Sequence, residues 1–156
     1  MLNPDRHETT IPRPALLLGI AGLVPFVTLP LLTVLDFGID ADWAIQALLT
    51  YGAVILSFMG GVQWGLAMRA PPAAGEGTWM LYAASVVPAL LGWAALLGFA
   101  PRAALLILAT GFAGLLAYDV WVIRRGYGPA WYPNLRLGLT AVVVTALCAT
   151  ATLLGS

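Results

Sequence analysis

The chain has 156 residues, of which 61% are hydrophobic and 9% are charged. Ordinary soluble domains carry about 25% charged residues, so water would be a poor solvent for most of this surface. Seven acidic residues balance seven basic ones, all of them arginine, so the chain lacks the positive field that nucleic-acid binding requires. These values indicate an integral membrane protein and exclude a nucleic-acid-binding one.

Five stretches of the chain are long and apolar enough to cross the hydrocarbon layer, which takes about 20 residues of helix each. The fourth stretch contains Asp119, and its many Leu, Ile, Val and Phe residues outweigh the cost of about 3 kcal/mol for that charge. The predicted helices are 14–35, 44–68, 78–99, 102–123 and 137–154. The sequence therefore predicts an all-α fold, in which a single five-helix transmembrane bundle over residues 14–156 follows a polar tail over residues 1–13.

Arginine placement predicts the orientation, because short loops rich in arginine stay in the cytoplasm. One side of the predicted bundle has only Arg102, and its first loop carries three acids. The other side has six arginines: Arg6, Arg13, Arg69, Arg124, Arg125 and Arg136. We therefore expect the N-terminus inside and the C-terminus outside. The absence of lysine and the abundance of Ala, Gly and Arg favour a GC-rich bacterial genome, and hence the bacterial inner membrane.

Prolines within the predicted helices indicate kinks at Pro25, Pro30 and Pro88. Each proline removes one backbone hydrogen bond and frees the carbonyl four residues earlier. We expect Thr28, Ser85 or neighbouring helices to satisfy these carbonyls, as membrane helices commonly do. The alternative is that a ligand or an ion binds at the opened backbone.

Glycines in the second helix predict close helix packing. Gly60, Gly61 and Gly65 include the spacing Gly-x-x-x-Gly, which leaves a groove for another helix. The partner can be a helix of the same chain or of a second copy, and both alternatives stay open at this point.

Polar and aromatic side chains gather at the bundle end that is predicted to face the cytoplasm. Asp119 is the main candidate, because an ionisable group within a span is by default functional, and its expected partner is Arg136 or Arg124. The alternative is a structural ion pair that holds two helix ends together. The full candidate cluster comprises Gln63, Trp64, Arg69, Asp119, Arg124, Arg125, Trp131, Tyr132 and Arg136.

The sequence predicts neither a catalytic nor a metal site. The single histidine, His7, lies in the polar tail, and the single cysteine, Cys148, lies in an apolar run. Nucleophile and base pairs or metal clusters need several such groups within reach of one another. We therefore expect no catalytic residues, no metal, no cofactor and no enzymatic activity.

Three segments resemble the bacterial domain-of-unknown-function family numbered 3429, whose animal relative is the mitochondrial transmembrane protein 69. The segments are 11–26, 51–65 and 129–136, and the most specific part is the run from Tyr51-Gly-Ala to Gly-Gly-x-x-Trp-Gly65. The resemblance covers nearly the whole chain and implies a small multi-span membrane protein, without implying a reaction. Members often have histidine or arginine where this chain has Gln63, which argues against an essential titrating group at that position.

Two functions are compatible with these residues. The favoured one is a non-enzymatic accessory protein that packs against, or helps to assemble, a larger membrane complex, because glycine grooves and an inner face rich in Arg and Trp occur without catalytic groups. The second is a carrier or binder of a small lipid-like, quinone-like or porphyrin-like molecule that enters from the inner leaflet. The expected partners are the lipid bilayer and either another membrane protein or further copies of the chain.

Overall fold

A computed structural model describes residues 10–35, 38–68 and 76–154, and all regular secondary structure in these ranges is helical. The helices are α1 (Arg13–Ala21), α2 (Val24–Val34), α3 (Ala41–Ala67), α4 (Glu76–Gly98), α5 (Pro101–Arg124) and α6 (Tyr132–Leu153). Taken together, α1 and α2 form one membrane-length segment, and α3 to α6 provide four more. The predicted all-α fold with five helices long and apolar enough to cross a membrane is confirmed. The predictions for Arg6, His7 and Arg69 lie outside the described residues.

Local sequence explains where several helices begin. Proline occupies one of the first two helical positions of α1, α2, α5 and α6, where its missing N–H is not needed for the helix ladder. Helix α3 is capped differently, because the Asp40 carboxylate accepts a hydrogen bond from the backbone N–H of Asp42 at 3.0 Å.

The sequence predicts one continuous helix over residues 14–35. In the structure, the first membrane-length segment is instead broken into two helices. Helix α1 ends at Ala21 and α2 begins at Val24, with Pro25 in its first turn. Pro25 has no N–H to donate to the carbonyl of Ala21, so the helix ladder is interrupted there. The Tyr51 hydroxyl donates to the carbonyl of Gly22 at 3.0 Å and so stabilises the break from α3.

The prediction that Thr28 and Ser85 satisfy the carbonyls freed by the prolines is wrong. The Thr28 hydroxyl donates to the carbonyl of Val24, and the Ser85 hydroxyl donates to that of Tyr82. Neither carbonyl is one that a proline frees, because hydroxyls on a helix reach their own preceding turn more easily than the carbonyl at the kink.

Pro30 lies inside α2 and Pro88 inside α4, and both helices continue past their proline. Only the first of the three predicted kink positions, at Pro25, coincides with a helix break.

The last helix begins at Tyr132, five residues before the predicted start at residue 137. The prediction ended the loop at Arg136 because a charge normally marks the edge of a membrane span. In the structure Arg136 lies within α6, where an ion pair with α5 allows the charge to be buried.

The core lies among α2, α3, α5 and α6, with Ala95 of α4 also packed into it. Phe26 of α2 is 1% exposed and stands edge-on to the rings of Tyr51 and Phe112, with centroid distances of 5.2 and 6.0 Å. Such aromatic pairs contribute about 0.5–1.5 kcal/mol each beyond their buried area. This cluster holds the break between α1 and α2 against the rest of the bundle.

The three predicted packing glycines have different surroundings. A methyl group added at Gly60 would collide with the backbone carbonyl of Ser85 on α4, so Gly60 allows the close contact of α3 with α4. Gly61 and Gly65 are exposed, and among the described residues no atom lies within 4 Å of a methyl group added at either. Their side of α3 therefore has no described partner within the chain.

Candidate functional site

A buried polar cluster, formed by Gln63, Asp119 and Arg136, joins α3, α5 and α6 near one end of the bundle. Of the two expected partners of Asp119, Arg136 makes the contact, and its Nε donates to Asp119 Oδ2 at 2.7 Å. The side chains of Arg136 and Asp119 are 5% and 1% exposed. The amide of Gln63, which is 2% exposed, donates to the other carboxylate oxygen, Oδ1.

Both carboxylate oxygens of Asp119 accept hydrogen bonds from N–H donors, which is the arrangement that suits an ionised carboxylate. The positive charge of Arg136 is therefore compensated by its neighbour, and the polar cluster carries no net charge. Such a pair is stable in a low-dielectric interior only while both partners are present.

The turn between α5 and α6 brings Arg136 to Asp119. Gly126 has a φ of +84°, which a residue with a side chain rarely adopts, and it follows the last residues of α5. The backbone N–H of Gly126 donates to the carbonyl of Ile123, and the backbone N–H of Tyr127 donates to the carbonyl of Val122. This glycine-terminated helix end reverses the chain so that α6 returns along α5.

Three polar atoms on one face of α6 are buried without a hydrogen-bond partner among the described residues. They are Tyr132 Oη, Arg136 Nη2 and Thr140 Oγ1. The spacing of four residues places them on a single stripe of the helix, about 6 Å apart along its axis. A buried polar atom without a hydrogen-bond partner costs about 1–3 kcal/mol. The three atoms of this stripe can therefore form stabilising hydrogen bonds that the fold itself does not provide.

Thr140 differs from other threonines of the bundle. Thr110 and Thr150 each donate to the carbonyl four residues earlier, at 2.8 and 2.9 Å, which is the usual way to satisfy a hydroxyl within a membrane helix. The hydroxyl of Thr140, a residue that is 3% exposed, makes no such bond. It is therefore available to a molecule beside the helix.

All three residues of this stripe line one cavity of about 340 Å³. The remaining lining is apolar or aromatic and comes from α1, α2, α3, α5 and α6, including Phe26, Met59, Phe112, Leu135 and Val143. The lining also includes Leu18 of α1 and Phe58 of α3, which are 74% and 66% exposed, so the cavity reaches the lipid-facing surface. It thus combines a polar stripe with an apolar path to the bilayer.

The other predicted cluster residues lie near the same end of the bundle but outside the buried contacts. Trp64 is exposed and stands edge-on to the ring of Tyr82, with a centroid distance of 4.9 Å. Arg124 is also exposed. The guanidinium carbon of Arg125 lies 4.2 Å from the centroid of the Trp121 ring, which is a cation–π contact at the surface.

Trp131 and Tyr132 stand edge-on to each other at 6.0 Å, and both line the cavity. Of the described residues of the predicted cluster, Trp131, Tyr132 and Arg136 line the cavity, and Gln63 and Asp119 are buried behind Arg136 without lining it. Trp64, Arg124 and Arg125 are exposed and lie outside the lining. Among the residues that the structure describes, no group of three His, Cys, Asp or Glu side chains is placed to hold a metal ion.

Sequence reasoning missed Thr140 and the cavity itself. Threonine is common in membrane helices, so its polarity alone gave no signal. The spacing from Tyr132 through Arg136 to Thr140 is a usable signal, because it places one polar group on each successive turn of one face. A helix that begins at residue 137, as predicted, leaves out Tyr132 and Arg136, so the spacing cannot be recognised.

A family model described as "Protein of unknown function (DUF3429)" matches residues 11–152 of the chain. Transmembrane protein 69 of Xenopus tropicalis is 43% identical over 139 residues, which cover 87% of this chain and 53% of that protein. Transmembrane protein 69 of Mus musculus is 32% identical over 156 residues, which cover 94% of this chain and 61% of that protein. The chain thus spans less than two thirds of the length of these curated relatives. No solved structure matches it.

Proposed function

Because the chain belongs to the DUF3429 family of proteins of unknown function and is similar to transmembrane protein 69, we propose its function from its own site. The protein is a non-enzymatic membrane protein that binds a small amphipathic molecule in the cavity beside the polar cluster. The observation that carries this proposal is the stripe of unpartnered buried atoms on Tyr132, Arg136 and Thr140. Ligand sites are mostly apolar cavities with a few such polar groups that fix orientation.

The entry route follows from the lining of the cavity. Helix α1 has no buried residue, and the exposed side chains of Leu18 and Phe58 stand at the cavity rim. A membrane-dissolved molecule can therefore enter sideways from the lipid without crossing the core. This route favours a ligand that is already concentrated in the bilayer.

A cavity-filling variant tests the proposal. Ala15 lines the cavity from α1, and Ala15→Phe should occupy part of its volume with little effect on the core. The matched control is Leu17→Phe, which places the same ring on the same helix at a lipid-exposed position outside the lining. Molecules extracted from the purified full chain in lipid nanodiscs are then identified by mass spectrometry.

We expect one small amphipathic molecule in near-stoichiometric amount with the unchanged protein and with Leu17→Phe, and its loss with Ala15→Phe. The proposal fails if no such molecule is present or if Ala15→Phe retains it.

A second candidate function is that of an accessory or assembly partner of a larger membrane complex. What favours it is the exposed face of α3, on which Ser57, Gly61 and Gly65 follow one another at four-residue spacing. Small residues at this spacing allow two membrane helices to approach closely. Its test is Gly61→Leu with purification in a mild detergent, which should release a defined protein partner. Gly114→Leu, at an open and exposed glycine of α5, is the control.

The proposed location is the bacterial inner membrane, with the N-terminus inside and the C-terminus outside. Its support is the lysine-free, Ala- and Arg-rich composition and the excess of arginine on one side of the bundle. In this orientation the polar cluster lies towards the cytoplasmic leaflet, from which the ligand would enter.

A further inference from the structure

We infer that the ligand has an electrically neutral head with a carbonyl or ester oxygen, attached to an apolar tail. This is the chemistry of a quinone or a monoacylglycerol. The inference rests on the proposed function and specifies the ligand class of the same cavity. It follows from the combination of an ion pair that neutralises itself with unpartnered hydrogen-bonding groups beside it.

The charge of the site disfavours an anionic head. Arg136 is the one charged side chain among the described residues that line the cavity, and its charge is already balanced by Asp119 at 2.7 Å. A phosphate or a carboxylate would add a second negative charge near Asp119 without a second cation. The cost of an unbalanced charge in a low-dielectric interior exceeds the stabilisation that one further hydrogen bond provides.

The hydrogen-bonding groups require an acceptor on the ligand. Arg136 Nη2 can only donate, whereas Tyr132 Oη and Thr140 Oγ1 can donate or accept. A carbonyl oxygen can accept from Nη2 and from one of the hydroxyls at the same time. A hydrocarbon without a polar head would leave all three atoms unpartnered, so the stripe selects against it.

The size and the lining of the cavity define the rest of the ligand. A cavity of about 340 Å³ is near the small end of ligand sites, which run from roughly 300 to 1,000 Å³. It has room for one ring or one glycerol ester, and not for a complete two-chain phospholipid. Beyond the polar stripe the lining is apolar up to the exposed rim at Leu18 and Phe58, so a single tail can continue into the bilayer.

The test compares neutral and anionic probes with the full chain in phosphatidylcholine nanodiscs, with binding measured by native mass spectrometry. Decylubiquinone and monolaurin are the neutral probes, and dodecyl phosphate is the anionic probe of similar tail length. We expect at least one neutral probe to bind about tenfold or more tightly than dodecyl phosphate. Which of the two binds better distinguishes a quinone from an ester.

Two variants locate the site and test the charge argument. Thr140→Val preserves the shape of the side chain and removes its hydroxyl, so it should lower the affinity for the neutral probe by roughly three- to tenfold. Thr145→Val, at an exposed position of α6 outside the cavity lining, should leave binding unchanged. Asp119→Asn removes the balancing charge from Arg136 and should shift the preference towards dodecyl phosphate.

Each unfavourable outcome has a separate meaning. If dodecyl phosphate binds best to the unchanged chain, the inferred ligand class is wrong while the proposed function stands. If a neutral probe binds but Thr140→Val weakens it no more than Thr145→Val does, the stripe does not hold the head and the inference is also wrong. If no probe binds and no molecule co-purifies, the proposed function itself fails.

Discussion

Asp119 is a charged residue in a membrane-length helix, and its two neighbours explain how that charge is stabilised. Arg136 and Gln63 come from different helices and each donates to one of its carboxylate oxygens. Removing one partner of such a pair leaves the other charge buried and unbalanced, which costs about 3–5 kcal/mol. Loss of either charge alone should therefore destabilise the packing of the three helices.

Replacing Arg136 with leucine should lower the free energy of unfolding by about 3–5 kcal/mol, because Asp119 would stay buried without its cation. The measurement is reversible unfolding of the purified protein in mixed micelles. Arg124→Leu removes an exposed arginine from the same end of the bundle and should change stability by less than about 1 kcal/mol.

The double variant Asp119→Leu with Arg136→Leu should recover most of the lost stability, since no unpaired charge remains. If Arg136→Leu alone unfolds no more easily than Arg124→Leu does, the ion pair contributes little to stability, contrary to this account.

Single residues were predictable from the sequence where their chemistry contrasts with their surroundings. Asp119 and Gln63 are polar groups in apolar runs, and Arg136 was one of the two partners expected for Asp119. Thr140 and Tyr51 were not predicted, because Thr and Tyr are ordinary residues in membrane helices. Their roles depend on which neighbour each faces, and this is a property of packing between helices.

At the scale of helices, the break between α1 and α2 depends on a hydrogen bond from another helix. Tyr51→Phe should remove the donor to the Gly22 carbonyl and preserve the ring contact with Phe26. A net cost of about 1 kcal/mol corresponds to a roughly fivefold higher population of the opened break. Hydrogen exchange of the backbone amides of Gly22 and Leu23 in nanodiscs measures this opening.

Tyr82→Phe is the control for this change, because its ring also contacts an aromatic neighbour, Trp64, from a different part of the bundle. Unchanged exchange at Gly22 in the Tyr51→Phe variant would show that the hydroxyl does not hold the break.

Neighbouring glycines on α3 should respond in opposite ways to the same substitution. Gly60→Ala places a methyl group against the Ser85 carbonyl, so α3 and α4 must separate, at a cost of about 1–3 kcal/mol. Gly61→Ala places it in open space and should be neutral, or stabilising by up to about 1 kcal/mol, since alanine favours helix. Thermal unfolding of both variants under identical conditions checks the difference. Equal losses would contradict the packing described for Gly60.

The number of membrane-length segments could be predicted because membrane length and low charge are additive properties of a segment. The start of α6 could not be predicted in the same way, and Pro25 indicated a kink without showing that another helix would stabilise a full break there. The first depends on an ion pair that cancels the usual cost of Arg136, and the second on the donor that Tyr51 provides. Both are interactions between helices, and no window along one helix contains them.

At the scale of the whole molecule, one crossing by each of the five membrane-length segments would place residues 13 and 153 on opposite sides of the membrane. The arginine distribution predicts that the C-terminus is outside. Alkaline phosphatase fused after Ser156 should therefore be active, and green fluorescent protein fused there should be dark. Fusions after Arg125, one helix earlier, should give the opposite pattern. A fluorescent C-terminal fusion would reverse the predicted orientation.

The pairing of Asp119 with Arg136 also bears on how the chain enters the membrane during synthesis. The two residues lie on consecutive helices that a glycine turn folds against each other. An arginine or an aspartate costs about 2.5–3.5 kcal/mol at the centre of an isolated inserting helix and less towards its end, where these two residues lie. We therefore expect the last two helices to insert at lower cost together as a hairpin, with the two charges already paired, than one after the other.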